Sequence, residues 1–148
     1  MKVKELIEKK GKDVFTIRDD SSIMQAVRLF KEKRVGSLLV VDKNENILGI
    51  ITERDILYRC IADDGKMKTC SVDQLMTPKE KLIIGINSDD IEYLMHVMTE
   101  NRIRHVPIFD NGKIEGLISI GDIVKSLLKD VSHTNKMLMD YIEGKYPG

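Results

Sequence analysis

Two short stretches carry residue types and spacings that could do chemistry: Gly49-Ile50-Ile51-Thr52-Glu53-Arg54-Asp55 and Gly116-Leu117-Ile118-Ser119-Ile120-Gly121-Asp122. In each, a glycine opens an apolar run, a hydroxyl residue follows, an aspartate stands three positions later, and an apolar helix pattern begins. That order reads as a buried strand running into a helix whose first turn holds an oxygen acceptor at each end. One reading of Thr52-x-x-Asp55 and Ser119-x-x-Asp122 is a capping box, in which hydroxyl and carboxylate satisfy the unbonded amides of the helix start. The other is a ligand seat. A helix N-terminus favours an anion, and the neighbouring aspartate can accept hydrogen bonds from a pair of sugar hydroxyls. The two readings are compatible, and repetition favours the second.

The elements that must position these residues are themselves repeated. With Asp55 placed over Asp122, Gly49 falls on Gly116, Ile47 on Ile114 and Asn44 on Asn111. One residue dropped in the turn then puts Asp42 on Asp110, Arg34 on Arg102, Glu32 on Glu100 and Ile23 on Ile91. The lead-ins match too, Val3 to Ile7 against Val72 to Met76, so a unit of about 65 residues occurs twice.

Each copy predicts a short helical lead-in, a turn (marked in the second copy by Thr77-Pro78), and a short strand, Val14 to Ile17 or Leu82 to Ile86. The polar clusters Asp19-Asp20-Ser21-Ser22 and Asn87-Ser88-Asp89-Asp90 supply helix N-caps. Apolar stripes follow at Ile23, Ala26, Val27 and Phe30, and at Ile91, Leu94, Met95 and Met98, where core packing is the better reading of the methionines. Strands Ser37 to Val41 and His105 to Phe109 then turn through Asp, Asn and Gly into Ile47 to Ile51 and Ile114 to Ile118. Helices are expected from Glu53 to about Ala62 and from Gly121 to about Lys129, with Asp63-Asp64-Gly65-Lys66 as the break. The fold class is α+β, two β-α-β-β-α units that together bury what one cannot. The domains are residues 1–66 with the N-terminal lead-in, 67–130, and a helical extension over 131–148 with Met137, Leu138, Tyr141 and Ile142 on one side.

Composition excludes several function classes. The 148 residues are 42% hydrophobic and 32% charged, an ordinary globular balance rather than a disordered one. Twenty-four basic and twenty-four acidic residues leave no net field for nucleic acid or anionic membrane. Four Tyr, three Phe and no Trp make a poor base-stacking platform. No apolar run is long enough to span a bilayer, and no hydrophobic segment follows Met1-Lys2-Val3-Lys4-Glu5, so a cytoplasmic protein is expected. Cys60 and Cys70 read as reduced thiols. His96, His105 and His133 show no metal-ligand spacing with them, and there is no phosphate-binding glycine loop, so neither a metal site nor an enzyme is expected.

Taken in order and twice over, these motifs resemble a tandem pair of CBS domains, a Bateman module, over about residues 1 to 130. The resemblance rests on Gly49-x-x-Thr52-x-x-Asp55, Gly116-x-x-Ser119-x-x-Asp122, the run from Arg102 to Asp110, and Leu75-Met76-Thr77. The tail ending Tyr141-Ile142-Glu143-Gly144 is similar to stand-alone members. It implies a pseudo-two-fold pair of repeats that senses adenosine-containing ligands (AMP, ADP, ATP, NAD(H) or S-adenosylmethionine) in clefts between them, with no cofactor required. It further implies a homodimer and a regulated partner protein, the binding signal passing through a change of conformation or dimer shape. Asp55 and Asp122 would hold the ribose hydroxyls, while Thr52 and Ser119 would cap the helix and reach sugar or phosphate. Arg104 and His105 would meet phosphate, and adenine would lie near Ile17 and Ile86. The first repeat has Gly36 and Ser37 where the second has Arg104 and His105, so its site lacks that cation unless Arg54 or Arg34 supplies one. The Asp122 site is therefore the better of the two. The competing reading is an interaction or dimerisation module with degenerate sites, since capping alone would keep the same residues.

Overall fold

The computed structural model describes residues 1–11, 14–62 and 70–142, with the backbone alone considered at 62, 130–134 and 137–142. Helix α1 (Val3–Lys10) leads to strand β1 (Thr16–Arg18), helix α2 (Ile23–Lys33) and strands β2 (Ser37–Val41) and β3 (Ile47–Thr52). Helix α3 (Glu53–Asp55) continues as a π-helix over Ile56–Ala62. Helix α4 (Val72–Leu75), strand β4 (Thr77–Pro78) and a 3-10 turn (Lys79–Lys81) follow. Helix α5 (Ile91–Asn101), strands β5 (His105–Asp110) and β6 (Lys113–Ser119), and helix α6 (Ile120–Ile142) complete an α+β chain. It divides into two compact units, Asp13–Ile83 and Met1–Lys12 with Ile84–Gly148.

In the unit Asp13–Ile83 the sheet runs β1-β2-β3-β4, with β1 parallel to β2 and the other pairs antiparallel. The Ser22 hydroxyl accepts the Gln25 amide at 3.1 Å while the Gln25 side chain accepts the Ser22 amide at 2.8 Å, so α2 starts on a complete capping box. The helix then turns Ile23, Ala26 and Phe30 into a core with Leu38, Val40 and Ile51, closed by Val72 and Leu75 of α4. The second unit repeats the plan. Ile91, Leu94 and Met98 of α5 pack with Val106, Ile108 and Ile118, and Val3, Leu6 and Ile7 of α1 close that core. Both hairpins shift register at the same place, between Val40 and Val41 and between Ile108 and Phe109.

The lead-ins are exchanged relative to the sequence repeats. α1, read with the first repeat, docks ahead of α5: the Val3 amide donates to the Asp89 carbonyl at 2.8 Å and the Ile91 amide to the Met1 carbonyl at 3.1 Å. α4, read with the second, docks ahead of α2, where the Val72 amide donates to the Ser21 carbonyl at 2.9 Å. Two further expectations shift. Thr77-Pro78 is an edge strand on β3, where a proline's missing donor is tolerated. The expected strand Leu82 to Ile86 contracts to one parallel bridge, Gly85 to Ile108, in which the Gly85 amide donates to the Pro107 carbonyl and the Gly85 carbonyl accepts the Phe109 amide. The last helix, α6, runs through residue 131 without a break. The Asp63–Lys66 break and the end of the tail fall outside the described residues, as do the side chains of the proposed tail stripe. Arg34 and Arg102 are the left-handed C-cap residues of α2 and α5, with φ of 56° and 54°.

The exchange explains the two repeated glycines. A Cβ at Gly49 would stand 2.2 Å from the Thr77 carbonyl oxygen, and one at Gly116 would stand 2.9 Å from Cδ1 of Ile7. Backbone cannot retreat as a side-chain tip can. Gly49→Ala should therefore cost about 3 kcal/mol and Gly116→Ala about 1 kcal/mol in denaturant unfolding. Equal costs would contradict this account.

Candidate functional site

Each site begins where the second strand of a hairpin becomes a helix. In the second unit the Asp122 Oδ2 accepts the Ser119 amide at 2.8 Å, and the Ser119 hydroxyl accepts the Asp122 amide at 3.1 Å. In the first, Asp55 Oδ2 accepts the Thr52 amide at 2.9 Å and the Thr52 hydroxyl proton at 3.1 Å, while Thr52 Oγ1 accepts the Asp55 amide at 3.2 Å. Both capping boxes are complete. The facing strand supplies the next acceptor: the Ile120 amide donates to the Arg104 carbonyl at 2.8 Å, and the Glu53 amide to the Gly36 carbonyl at 3.1 Å. His105 pairs across the ladder with Ser119, as Ser37 does with Thr52.

The two carboxylates differ in their cations. Lys10, at the end of α1, donates to Asp122 Oδ2 at 2.6 Å and also to the Leu117 carbonyl. Beside Asp55 stands Arg59, one turn along the same helix, with Nε 3.9 Å from Oδ1. The Arg59 Nη1 donates to the Leu75 and Met76 carbonyls at 3.1 and 3.3 Å. Burial pushes both carboxyl pKa values up. At Asp122 the Lys10 ammonium and the Ser119 hydrogen bonds outweigh burial and hold it below the ordinary value. At Asp55 burial prevails over Thr52 and the more distant arginines, and the pKa is raised.

Four of the expected site residues, Ser119, Asp122, His105 and Arg104, come together in one unit, and Thr52 pairs with Asp55 in the other. His105 is partly buried, and burial first, then Lys10 and Arg104, lower its pKa to about 4 against the pull of Asp122. It therefore offers an anion an N–H but no charge at neutral pH. The Arg104 residue is exposed, and its backbone carbonyl serves the start of α6. Ile17 is 5% exposed and packs in the core of its unit. Its structural counterpart is Gly85, not Ile86: Ile17 pairs with Val40 as Gly85 pairs with Ile108. Ile86 is exposed. Arg54 lies over the Tyr58 ring at 5.4 Å and Arg34 caps α2.

The residue that sequence reasoning missed is Lys10. Its signal is the basic pair Lys9-Lys10 in the last turn of α1, but 112 positions separate it from Asp122. Among the described residues, no group of three or more His, Cys, Asp or Glu could hold a metal ion, and no helix is long and apolar enough to cross a membrane.

The His105 shift sets a pH dependence. The unfolded chain takes a proton on this imidazole below about pH 6.5 and the folded chain only near 4, so stability present above 6.5 is lost as pH falls through that window. Between pH 7 and 5 this side chain should contribute a loss of about 2 kcal/mol, which His105→Ser should abolish in denaturant titrations at the two pH values. An unchanged loss in that variant would contradict the assignment.

The model of the CBS domain family matches residues 3–61 and 72–129. The mitochondrial CBS domain-containing protein CBSX3 of Arabidopsis thaliana is 35% identical over 86% of this chain, which spans 63% of that protein. The CBS-domain protein ATU1752 from Agrobacterium tumefaciens is 38% identical, with a TM-score of 0.79 over 85% of this chain and 98% of that one. The CBS pair of protein MJ0100, solved with 5′-methylthioadenosine and S-adenosyl-L-methionine, shares the fold at 23% identity, with a TM-score of 0.74 over 88% of this chain and 98% of that one. Its two copies of the motif, its two hairpin-to-helix junctions and these matches make this chain a member of the CBS domain family, carrying the domain twice.

Proposed function

We propose that the chain is a regulatory ligand-binding module, not an enzyme, and that its Asp122 site takes the ribose of an adenosine-containing ligand. The candidates are AMP, ADP, ATP, NAD(H) and S-adenosylmethionine. The observation that carries this reading is the Asp122 carboxylate, kept ionised at the start of a 23-residue helix beside the Ser119 hydroxyl and a lysine. An ionised carboxylate can accept from both hydroxyls of a ribose, and the helix start and lysine favour an attached phosphate. The ligands of the MJ0100 pair support the adenosine class. Asp55 and Thr52 offer the same box in the first repeat, with Arg59 3.9 Å from the carboxylate where Asp122 has a hydrogen-bonded lysine, and that site is proposed as the weaker one.

The ligand regulates only by binding one arrangement of the protein better than another. The apolar residues Leu57, Tyr58 and Ile61, and Val124 and Leu128, are exposed on helices and would serve a homodimer or a regulated partner protein. They also favour the second reading, an interaction module with degenerate sites. A cytoplasmic location belongs to the same proposal, although the similar Arabidopsis protein is named as mitochondrial.

Calorimetric titration with AMP, ADP, ATP, NADH and S-adenosylmethionine tests this reading. One of them should bind with micromolar affinity, about −8 kcal/mol. Asp122→Ala should weaken that binding about a hundredfold, whereas Asp55→Ala should leave it within a few-fold. Silence from every ligand in a folded protein would leave the interaction module.

A further inference from the structure

Asp122 is already engaged. Its Oδ2 accepts from both the Ser119 amide and the Lys10 ammonium, and only Oδ1 takes no hydrogen bond from a described residue. Lys10 and Asp122 are 32% and 25% exposed at their side chains, so water screens this contact less than a surface pair. The ammonium is held at two points, the carboxylate and the Leu117 carbonyl. A ribose that needs both carboxylate oxygens must therefore displace Lys10. What happens next depends on the ligand's charge. An uncharged nucleoside leaves a partly buried ammonium without its carboxylate, which is costly. A ligand with a phosphate gives the same ammonium a new anionic partner.

Resting on the reading of the Asp122 site given above, we propose that Lys10 is a charge gate, closing that site to uncharged nucleosides and opening it to phosphorylated ones. His105 is neutral near pH 7, and the Arg104 residue is exposed, with its backbone carbonyl taken by the Ile120 amide. The first repeat is built differently among the described residues: α4 ends at Leu75, Thr77-Pro78 takes the place beside β3, and Arg59 of the same helix stands 3.9 Å from Asp55. The gate is a property of the second repeat's site and arises from the exchanged lead-in.

Titration of the full chain with adenosine and with AMP tests this. The wild type should prefer AMP. In Lys10→Met, adenosine should bind more tightly and the AMP-to-adenosine preference should fall by about tenfold. Lys10→Gln gives the same reading if the methionine variant fails to fold, as judged by its melting transition. Lys10→Arg, which keeps the charge, and Lys9→Met, which removes a neighbouring charge, should keep the preference. If the wild type binds AMP and the preference is unchanged in Lys10→Met, the gate is overturned and the nucleotide site stands. If adenosine binds Lys10→Met and neither compound binds the wild type, Lys10 closes the site without opening it to a phosphate, and the gate as proposed is overturned. If neither compound binds any folded variant, gate and site fall together.

Discussion

An amide at the start of a helix must find an acceptor, and both halves of this chain answer that constraint with one carboxylate. Asp55 and Asp122 accept the amides of Thr52 and Ser119, and the hydroxyls return the bond. This closure fixes the angle at which strand becomes helix. It also ties each helix to its hairpin, because the next amide reaches the Gly36 or Arg104 carbonyl on the facing strand. The cores follow from that alignment: Ile51 and Ile118 end their strands facing inward, while Ile56 and Ile123 begin the helices on the same side.

The same box does different electrostatic work in the two halves. Where a lysine from a distant helix reaches the carboxylate, ionisation is favoured. Where the cation stands farther off and burial dominates, it is opposed. The same motif thus meets two electrostatic settings, for reasons that lie outside the motif.

Local pattern made much of this legible. The apolar stripes of α2 and α5 are the buried faces, and the Asp, Asn and Gly turns join the hairpins. The glycines were visible as repeated positions, but their reason was not, because Thr77 and Ile7 approach them from elsewhere in the chain. Non-local pairing hid the rest. Lys10 lies in the first lead-in and serves the second repeat, so assigning lead-ins by sequence order pointed away from it. Ile17 is a buried strand residue and Ile86 an exposed one, a difference set by register rather than by residue type. His105 was identifiable as a base near an anion site, whereas its neutrality depends on burial and on the charges of Lys10 and Arg104.

The exchanged lead-ins also set an order for the birth of the molecule. One unit is a single continuous stretch, Asp13–Ile83, whose hairpin, helices and closing α4 all leave the ribosome together. The other is split, with Met1–Lys12 made before that stretch and Ile84–Gly148 after it. The amphipathic α1, carrying Val3, Leu6 and Ile7, emerges before any of the surface it will cover has been synthesised. The middle of the chain has the means to fold first, during synthesis, while its own N-terminus waits with an apolar face open to water. A truncated or stalled product would keep that face uncovered, which makes the first helix the segment most in need of chaperoning.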